Sequence, residues 1–324
     1  MQITLLNYLT FLLFIQEIRL IIMAKEKNTD HAIAGAISGF LTRFTCQPLD
    51  VVKIRFQLQV EPIAQYHTSK YKSVFQAFWL ILKEERILAF WKGHVPAQLL
   101  SIAYGTGQFY SYNVIMTFAD KYSYLHEREH LTNFVVGASA GSIATIISFP
   151  FDTIRTRLIA QSYNCKIYKG IWHSCRTIWH QESPKVFFYG ILPTLLQIAP
   201  HTGLQFLFYK YLVNIYRKCF KETETSFYNS MISGSIAGLI AKTIIYPMDL
   251  AHKRLQIQGF EYGRKEFGKF FKCKGLIDCL RVTIKDEGVK GLFKGLLPSQ
   301  LKAAATTALH FTFYEQALLI LKYI

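Results

Sequence analysis

Three times along the chain a proline is followed two residues later by an aspartate, and a basic side chain comes three residues after that. The copies read QPLDVVKIRFQLQ from Gln47, FPFDTIRTRLIAQ from Phe149 and YPMDLAHKRLQIQ from Tyr246. Their prolines, Pro48, Pro150 and Pro247, lie 102 and 97 residues apart. Each ends an apolar stretch with glycines four positions apart: Gly35 and Gly39, Gly137 and Gly141, Gly234 and Gly238. Glycines at that spacing share a helix face and let two helices come close. Proline inside a helix removes a backbone hydrogen bond and kinks the rod. A chain written this way stacks one supersecondary unit three times.

The remainder of each unit also recurs. A short amphipathic stretch follows (YKSVFQAFWLILKEE, YKGIWHSCRTIWHQE, FKCKGLIDCLRVTIKDEG), then FWKG, FFYG or LFKG, ending at Gly93, Gly190 and Gly295. A second apolar helix then runs on to YSYN, LFYK or TFYE. One unit is therefore helix, loop with a short surface helix, helix. Three units give an all-α protein with six spanning helices, divided as residues 30–122, 131–219 and 227–322. An even number of spans returns the chain to its starting side. Residues 1–29 form an extension, and Met23 opens a polar segment that reads as an alternative start.

Composition agrees with spans that share an interior. Hydrophobic residues make up 51% and charged residues only 18%, where a soluble protein carries roughly a quarter charged. No stretch is a charge-free block of ~20 apolar residues, so the helices are not apolar on every side. The 37 Lys and Arg against 21 Asp and Glu point to an anionic partner: nucleic acid, lipid headgroup or phosphorylated solute. Nucleic acid fits least, because several bases interrupt apolar helices and leave no groove to track a backbone. The six cysteines show no metal spacing, Cys273 and Cys279 being too far apart for a zinc knuckle. They read as reduced thiols packed as small apolar groups. Neither a catalytic triad, a P-loop nor paired catalytic carboxylates stand out, so an enzyme, a cofactor and a metal site are not expected.

Residues at i and i+3 share a helix face, so Asp50 and Lys53 point together, as do Asp152 and Arg155, and Asp249 and His252. Charges at membrane depth are costly unless they pair or meet water. Three such faces turned to one axis can form a ring of ion pairs.

This motif set, over about residues 30–322, resembles the mitochondrial carrier family. The resemblance implies six tilted helices in threefold pseudosymmetry around a central cavity, in the mitochondrial inner membrane. Both termini would face the intermembrane space, and a functional monomer would alternate between cytosol-open and matrix-open states. It also implies a matrix gate of Asp50 with Arg155, Asp152 with His252, and Asp249 with Lys53. Gln57 and Gln256 match the family's bracing glutamine, a place that Ile159 takes in the second repeat. An imidazole with a pKa of about 6.5 would leave His252 as the loosest, pH-sensitive third of that gate. Lys253, one residue out of phase, is expected to point elsewhere. On the second helices the corresponding cytosolic gate falls on Tyr112 and Asn113, Tyr209 and Lys210, and Tyr314 and Glu315, with one charge pair, Lys210 with Glu315. Cardiolipin is expected at Trp91, Lys92 and Gly93, at Tyr168, Lys169 and Gly170, and at Phe293, Lys294 and Gly295.

Cavity residues indicate the solute. Arg43, Thr145 and Lys242 lie seven residues before the three aspartates. The family's contact positions on the second helices fall on Leu100 (with Ser101 next), Gln197 and Lys302, with Gln108, Gln205 and His310 further along. Arg43, Lys242 and Lys302 suit a diphosphate, because both base types donate charge-assisted hydrogen bonds to phosphoryl oxygens. Gln197 and Gln205 suit a heterocycle. That chemistry fits nucleotides and thiamine pyrophosphate equally. YPMDLAHKRLQIQGFEYGRKEFGKFFKCKGLIDC and LLPSQLKAAATTALHFTFYE resemble the branch of the family that moves thiamine pyrophosphate. By that resemblance the solute is thiamine pyrophosphate, imported in exchange for (deoxy)nucleotides. A (deoxy)nucleotide or coenzyme A exchanger, and a proton leak or channel, are the alternatives.

Overall fold

A computed structural model describes residues 28–60, 70–121, 129–161, 167–220, 227–260, 263 and 271–322. The amino-terminal extension with Met23, and most of GFEYGRKEFG, lie outside these residues. Six long helices dominate: α1 (Asn28–Leu58), α3 (His94–Ala119), α4 (Glu129–Ala160), α6 (Ile191–Phe220), α7 (Phe227–Gln256) and α9 (Leu296–Lys322). Between the two long helices of each repeat lies a short one: α2 (Val74–Glu85), α5 (Ile171–Thr177) and α8 (Leu276–Gly291). Helices α1, α4 and α7 run through Pro48, Pro150 and Pro247 without a break.

The most extensive packing is between repeats. Helix α3 lies along α4, α6 along α7, and α9 along α1. The last long helix thus meets the first and the ring closes. Its buried hydrophobic core lies at one end. Val51, Ile54 and Leu58 of α1, Ile154 and Ile159 of α4, and Leu255 of α7 pack there with Tyr71, Ile81, Tyr168 and Ile178 of the short-helix segments. Large apolar residues spread around the outside of the long helices, among them Phe40, Ile102, Ile147, Leu207, Ile244 and Leu301, remain exposed. Among the described residues, two helices are long and apolar enough to cross a membrane, over Thr132–Ala160 and Asn229–Gln256. In the second helices glycine, glutamine, serine, threonine and tyrosine interrupt the apolar residues, as in α3 with its run YGTGQFYSYN.

The short helices start and stop for local reasons. Ser73 caps α2, its hydroxyl accepting from the Gln76 amide at 3.2 Å, which satisfies one of the donors left open at a helix start. Gly93, Gly190 and Gly295 stand just before or at the start of α3, α6 and α9 with φ of +74°, +85° and +83°, a region that favours glycine.

One expectation needs correction. Gly35 and Gly39 do not sit in a close helix contact: a Cβ built on either meets nothing within 4 Å. The close side of this half of α1 is instead that of Ala34 and Ser38, both fully buried, with Ser38 donating to the His310 carbonyl of α9 at 2.6 Å.

Candidate functional site

The three aspartates lie at the cored end, all essentially buried. Lys53 Nζ donates to Asp249 Oδ2 at 2.6 Å. Arg155 Nη2 pairs with Asp50 Oδ2. Asp152 Oδ2 stands 3.0 Å from His252 Nε2. Each acid thus reaches a base on the following repeat, and the third repeat returns to the first. Gln57 Nε2 adds a bond to Asp249 Oδ2 at 3.2 Å, and Gln256 Nε2 one to Asp152 Oδ2 at 2.8 Å.

The backbone permits this convergence because of three glycines. A Cβ on Gly93 would lie 3.1 Å from the Arg155 carbonyl oxygen, one on Gly190 2.8 Å from that of His252, and one on Gly295 3.1 Å from that of Lys53. The helix start of each repeat rests on the carbonyl of the next repeat's ring base.

The third pair differs from expectation. Lys253 does not point elsewhere: its Nζ donates to Asp152 Oδ1 at 2.9 Å and Oδ2 at 2.8 Å, and to Thr156 Oγ1 at 3.0 Å. A neighbouring residue on a helix starts about 100° away, but a four-carbon lysine stem spans that offset where helices converge. The imidazole has a different task. Its Nδ1 contacts the Thr194 hydroxyl while Nε2 faces Asp152, a set that a neutral ring satisfies by accepting at one nitrogen and donating at the other. Asp152, with Lys253, His252 and Gln256 around it, is the most heavily partnered of the three acids rather than the loosest.

A second layer of charge, given no role by sequence reasoning, lies just beyond the ring. Two residues after the ring base comes Arg55, Arg157 or Arg254, and each is buried. Arg55 grips Glu85 with two nitrogens at 2.6 and 2.8 Å. Arg157 reaches Glu182 at 2.6 Å and Arg254 reaches Glu287 at 2.7 Å. Arg157 Nη2 also donates to the Gln258 carbonyl at 3.1 Å, and Arg254 Nε to that of Gln57 at 3.2 Å. The arginines tie the short-helix segments to the long ones and reach into the neighbouring repeat. The second base of each proline motif was the available signal, together with an acid at the end of each amphipathic stretch.

Burial alone would raise the Glu85 carboxyl, but hydrogen bonds and charge from Arg55 and Lys92 outweigh it and bring it from 4.5 down to about 2. A carboxyl lowered by folding contributes its stability above the ordinary pKa and loses it as pH falls. The Glu85 contribution is therefore complete above about pH 4.5 and lost on acidification towards about 2. Thermal unfolding of purified protein should show Glu85→Gln less stable at neutral pH by about 3–5 kcal/mol, as when a buried pair loses one partner. The variant should be flatter than wild type across that acid window. Parallel acid profiles would remove Glu85 from this account.

The three bases assigned to a solute are all placed at the interior, and each already has an interaction. Arg43 Nη1 donates to the Ala97 carbonyl at 3.1 Å and Lys242 Nζ to the Ser299 carbonyl at 2.5 Å. Lys302 forms an ion pair with Asp50 and so joins the ring. In the second repeat the equivalent places are neutral. Thr145 donates to the Gly141 carbonyl, and Gln197 is buried with neither amide end hydrogen-bonded among the described residues. Leu100 and Gln108 are buried, and among the described residues neither the Gln108 Nε2 nor the Ser101 hydroxyl has a bond. Gln205 is half-buried, and His310 Nδ1 stands 3.0 Å from the Ser38 hydroxyl.

At the other end, Tyr112, Tyr209 and Tyr314 are half-buried and Asn113, Lys210 and Glu315 exposed. No ion pair joins Lys210 and Glu315 among the described residues. Tyr314 instead has its hydroxyl 2.9 Å from His31 Nδ1. Several side chains expected to face lipid turn inward. The Tyr168 hydroxyl donates to Glu182 at 2.7 Å, Lys294 pairs with Glu287, and Lys92 pairs with Glu85 at 2.5 Å. The glutamates of the short-helix segments recruit them. Trp91 donates its ring N–H to the Phe44 carbonyl at 3.2 Å. Lys169 and Phe293 remain outside.

A closed ring of helices, sealed at one end by charge pairs and lined with bases and amides above them, is the form of a membrane solute carrier. The chain belongs to the mitochondrial carrier protein family, whose model matches residues 24–123, 126–219 and 223–323. It is accordingly a transporter rather than an enzyme. It is 44% identical over 289 residues to the mitochondrial thiamine pyrophosphate carrier of Homo sapiens, covering 88% of this chain and 89% of that protein. The protein of that name from Macaca fascicularis is 44% identical over the same shares. The mitochondrial thiamine pyrophosphate carrier 1 of Coccidioides immitis is 37% identical over 89% of this chain and 92% of its own length.

Proposed function

We propose that this chain is a six-span carrier of the mitochondrial inner membrane that imports thiamine pyrophosphate in exchange for a nucleotide. Both termini face the intermembrane space, and the monomer is the working unit. The observation that carries the reading is the 44% identity, across nearly nine-tenths of both chains, to relatives bearing that substrate's name. The cavity chemistry supports it. Repeats one and three supply Arg43, Lys242 and Lys302 for a diphosphate, while repeat two supplies Gln197 and Gln205 for a heterocycle.

The cycle follows from the charges. With the ring of Asp50, Asp152 and Asp249 closed, the cavity faces the cytosol. A diphosphate engages the three bases from that side. The ring pairs part, the opposite ends draw together with Tyr112, Tyr209 and Tyr314 at the seal, and the solute leaves to the matrix. A returning nucleotide resets the ring. Cardiolipin sits on the matrix face against the backbone amides after Gly93, Gly170 and Gly295, because helix starts suit phosphate.

The test is exchange in liposomes carrying the purified protein. External labelled thiamine pyrophosphate should enter only when nucleotide or unlabelled substrate is inside. Faster exchange of deoxynucleotides or coenzyme A than of thiamine pyrophosphate would replace the substrate. Uptake indifferent to internal solute would replace exchange by a leak.

A further inference from the structure

Two of the three ring acids have a neutral brace and one does not. Gln57 braces Asp249, and Gln256 braces Asp152. The residue in the matching place of the second repeat, one that would serve Asp50, is Ile159, a fully buried aliphatic with no polar atom to offer. Asp50 nevertheless has a second partner. Arg155 takes Oδ2, and Lys302 of α9 takes Oδ1. The missing brace is supplied by a cation on a second helix, from the cavity side rather than from the ring.

We propose that Lys302 is the trigger of the ring: a positioning residue that braces Asp50 while the cavity is empty and is drawn off it by the anionic end of the solute. This rests on the solute reading above and adds how binding reaches the gate. A glutamine brace has no charge, so an anion arriving in the cavity has little hold on it. Lys302 is a compact cation on a flexible stem, one turn along α9 from Ser299, whose carbonyl accepts from Lys242. A diphosphate offers charge-assisted bonds of the same type as the carboxylate, so withdrawing Lys302 exchanges one anionic partner for another. Asp50 is then left to Arg155 alone. The junction between repeats one and two becomes the weakest of the three, and the ring opens there first. A ligand can bias two states only through contacts that differ between them, and the Lys302–Asp50 pair is such a contact. The heterocycle alone, having no anion, should occupy the cavity without opening the ring.

The test reads opening directly. Spin labels at exposed positions 83 and 181 on the short-helix segments of repeats one and two, in the full chain in liposomes, report separation of that junction. Inorganic diphosphate is the probe. In wild type it should shift the distance distribution to longer values, and thiamine without phosphate should not. In Lys302→Gln the empty protein should keep a polar brace and diphosphate should produce no shift. Should that variant fail to fold, Ile159→Gln serves instead: a permanent neutral brace should raise the diphosphate concentration needed for half-opening about tenfold, near the worth of one added hydrogen bond. Equal opening by diphosphate in wild type and Lys302→Gln overturns the proposal, as does an unmoved midpoint in Ile159→Gln. Wild type that exchanges thiamine pyrophosphate in the liposome assay yet shows no diphosphate-driven opening refutes the trigger and leaves the transport reading standing. Diphosphate-driven opening without thiamine pyrophosphate exchange supports the trigger and refutes the substrate.

Discussion

Replacing Lys253 with glutamine should cost the purified carrier about 3–5 kcal/mol of stability, the usual penalty for leaving a buried charge without its partner. Exchange should fall with it. Asp152 lies 3% exposed and takes both of its lysine bonds at 2.8–2.9 Å. Without that ammonium it retains the imidazole and the Gln256 amide, both of which donate hydrogen bonds and neither of which needs to carry charge. His252→Gln should be much milder, about 1 kcal/mol, because the side-chain amide can keep one of the ring's two neutral hydrogen bonds and the ion pair stays. The sequence pattern alone assigns the reverse order, since His252 sits at the motif's base position and Lys253 beside it. Thermal unfolding of the two variants in one detergent decides between them. A His252→Gln loss equal to that of Lys253→Gln would mean that an imidazolium holds Asp152 after all.

The second large effect is expected at a backbone contact. In Gly190→Ala the new methyl would stand 2.8 Å from the His252 carbonyl oxygen, on a residue with φ of +85°. The left-handed conformation costs a non-glycine residue about 1–2 kcal/mol, and forcing a methyl into a packed contact about 1–3 more. The obstructing atom is backbone, so relief requires the start of α6 to move off α7, and that loosens the junction where Asp152 is held. A loss of about 2–5 kcal/mol in unfolding, with lowered exchange, is the expected outcome. Gly259 supplies the internal comparison. Its φ is +81° but a Cβ there meets nothing within 4 Å, so Gly259→Ala should lose only the conformational part, about 1–2 kcal/mol. If the two alanine variants lose the same amount, the contact with His252 is not what holds this junction.

These two cases show where the chain can be read in advance. Helix and repeat follow from spacing, because a helix face returns every three to four residues and a proline marks its position wherever it falls. The ring acids and two of their bases, Lys53 and Arg155, are legible for the same reason: i and i+3 must share a face. Lys253 was not legible, because phase on a helix describes where a side chain begins and not where a long flexible one ends. Tyr168 and Lys294 were misread similarly. Their motif places them near helix starts, but Glu182 and the buried carboxylate of Glu287 turn them inward, and those acids lie fourteen and seven residues away in the chain. The arginine layer was half legible, its residues plain in each motif and its acids recognisable only once Glu85, Glu182 and Glu287 are seen beneath it.

By itself, the amino-acid sequence determined the threefold architecture, the proline-marked helices and the set of charges able to form a ring, since all of these depend on local periodicity. Only the tertiary structure decided which side chain answers which charge. The side of α7 from which Lys253 approaches, the glycines that rest on the next repeat's carbonyls, and the reach of Lys302 across to Asp50 depend on distances between helices of different repeats, far apart in sequence. Those distances are set by packing at the cored end, where long side chains and low dielectric let the nearest charge win over the one in phase.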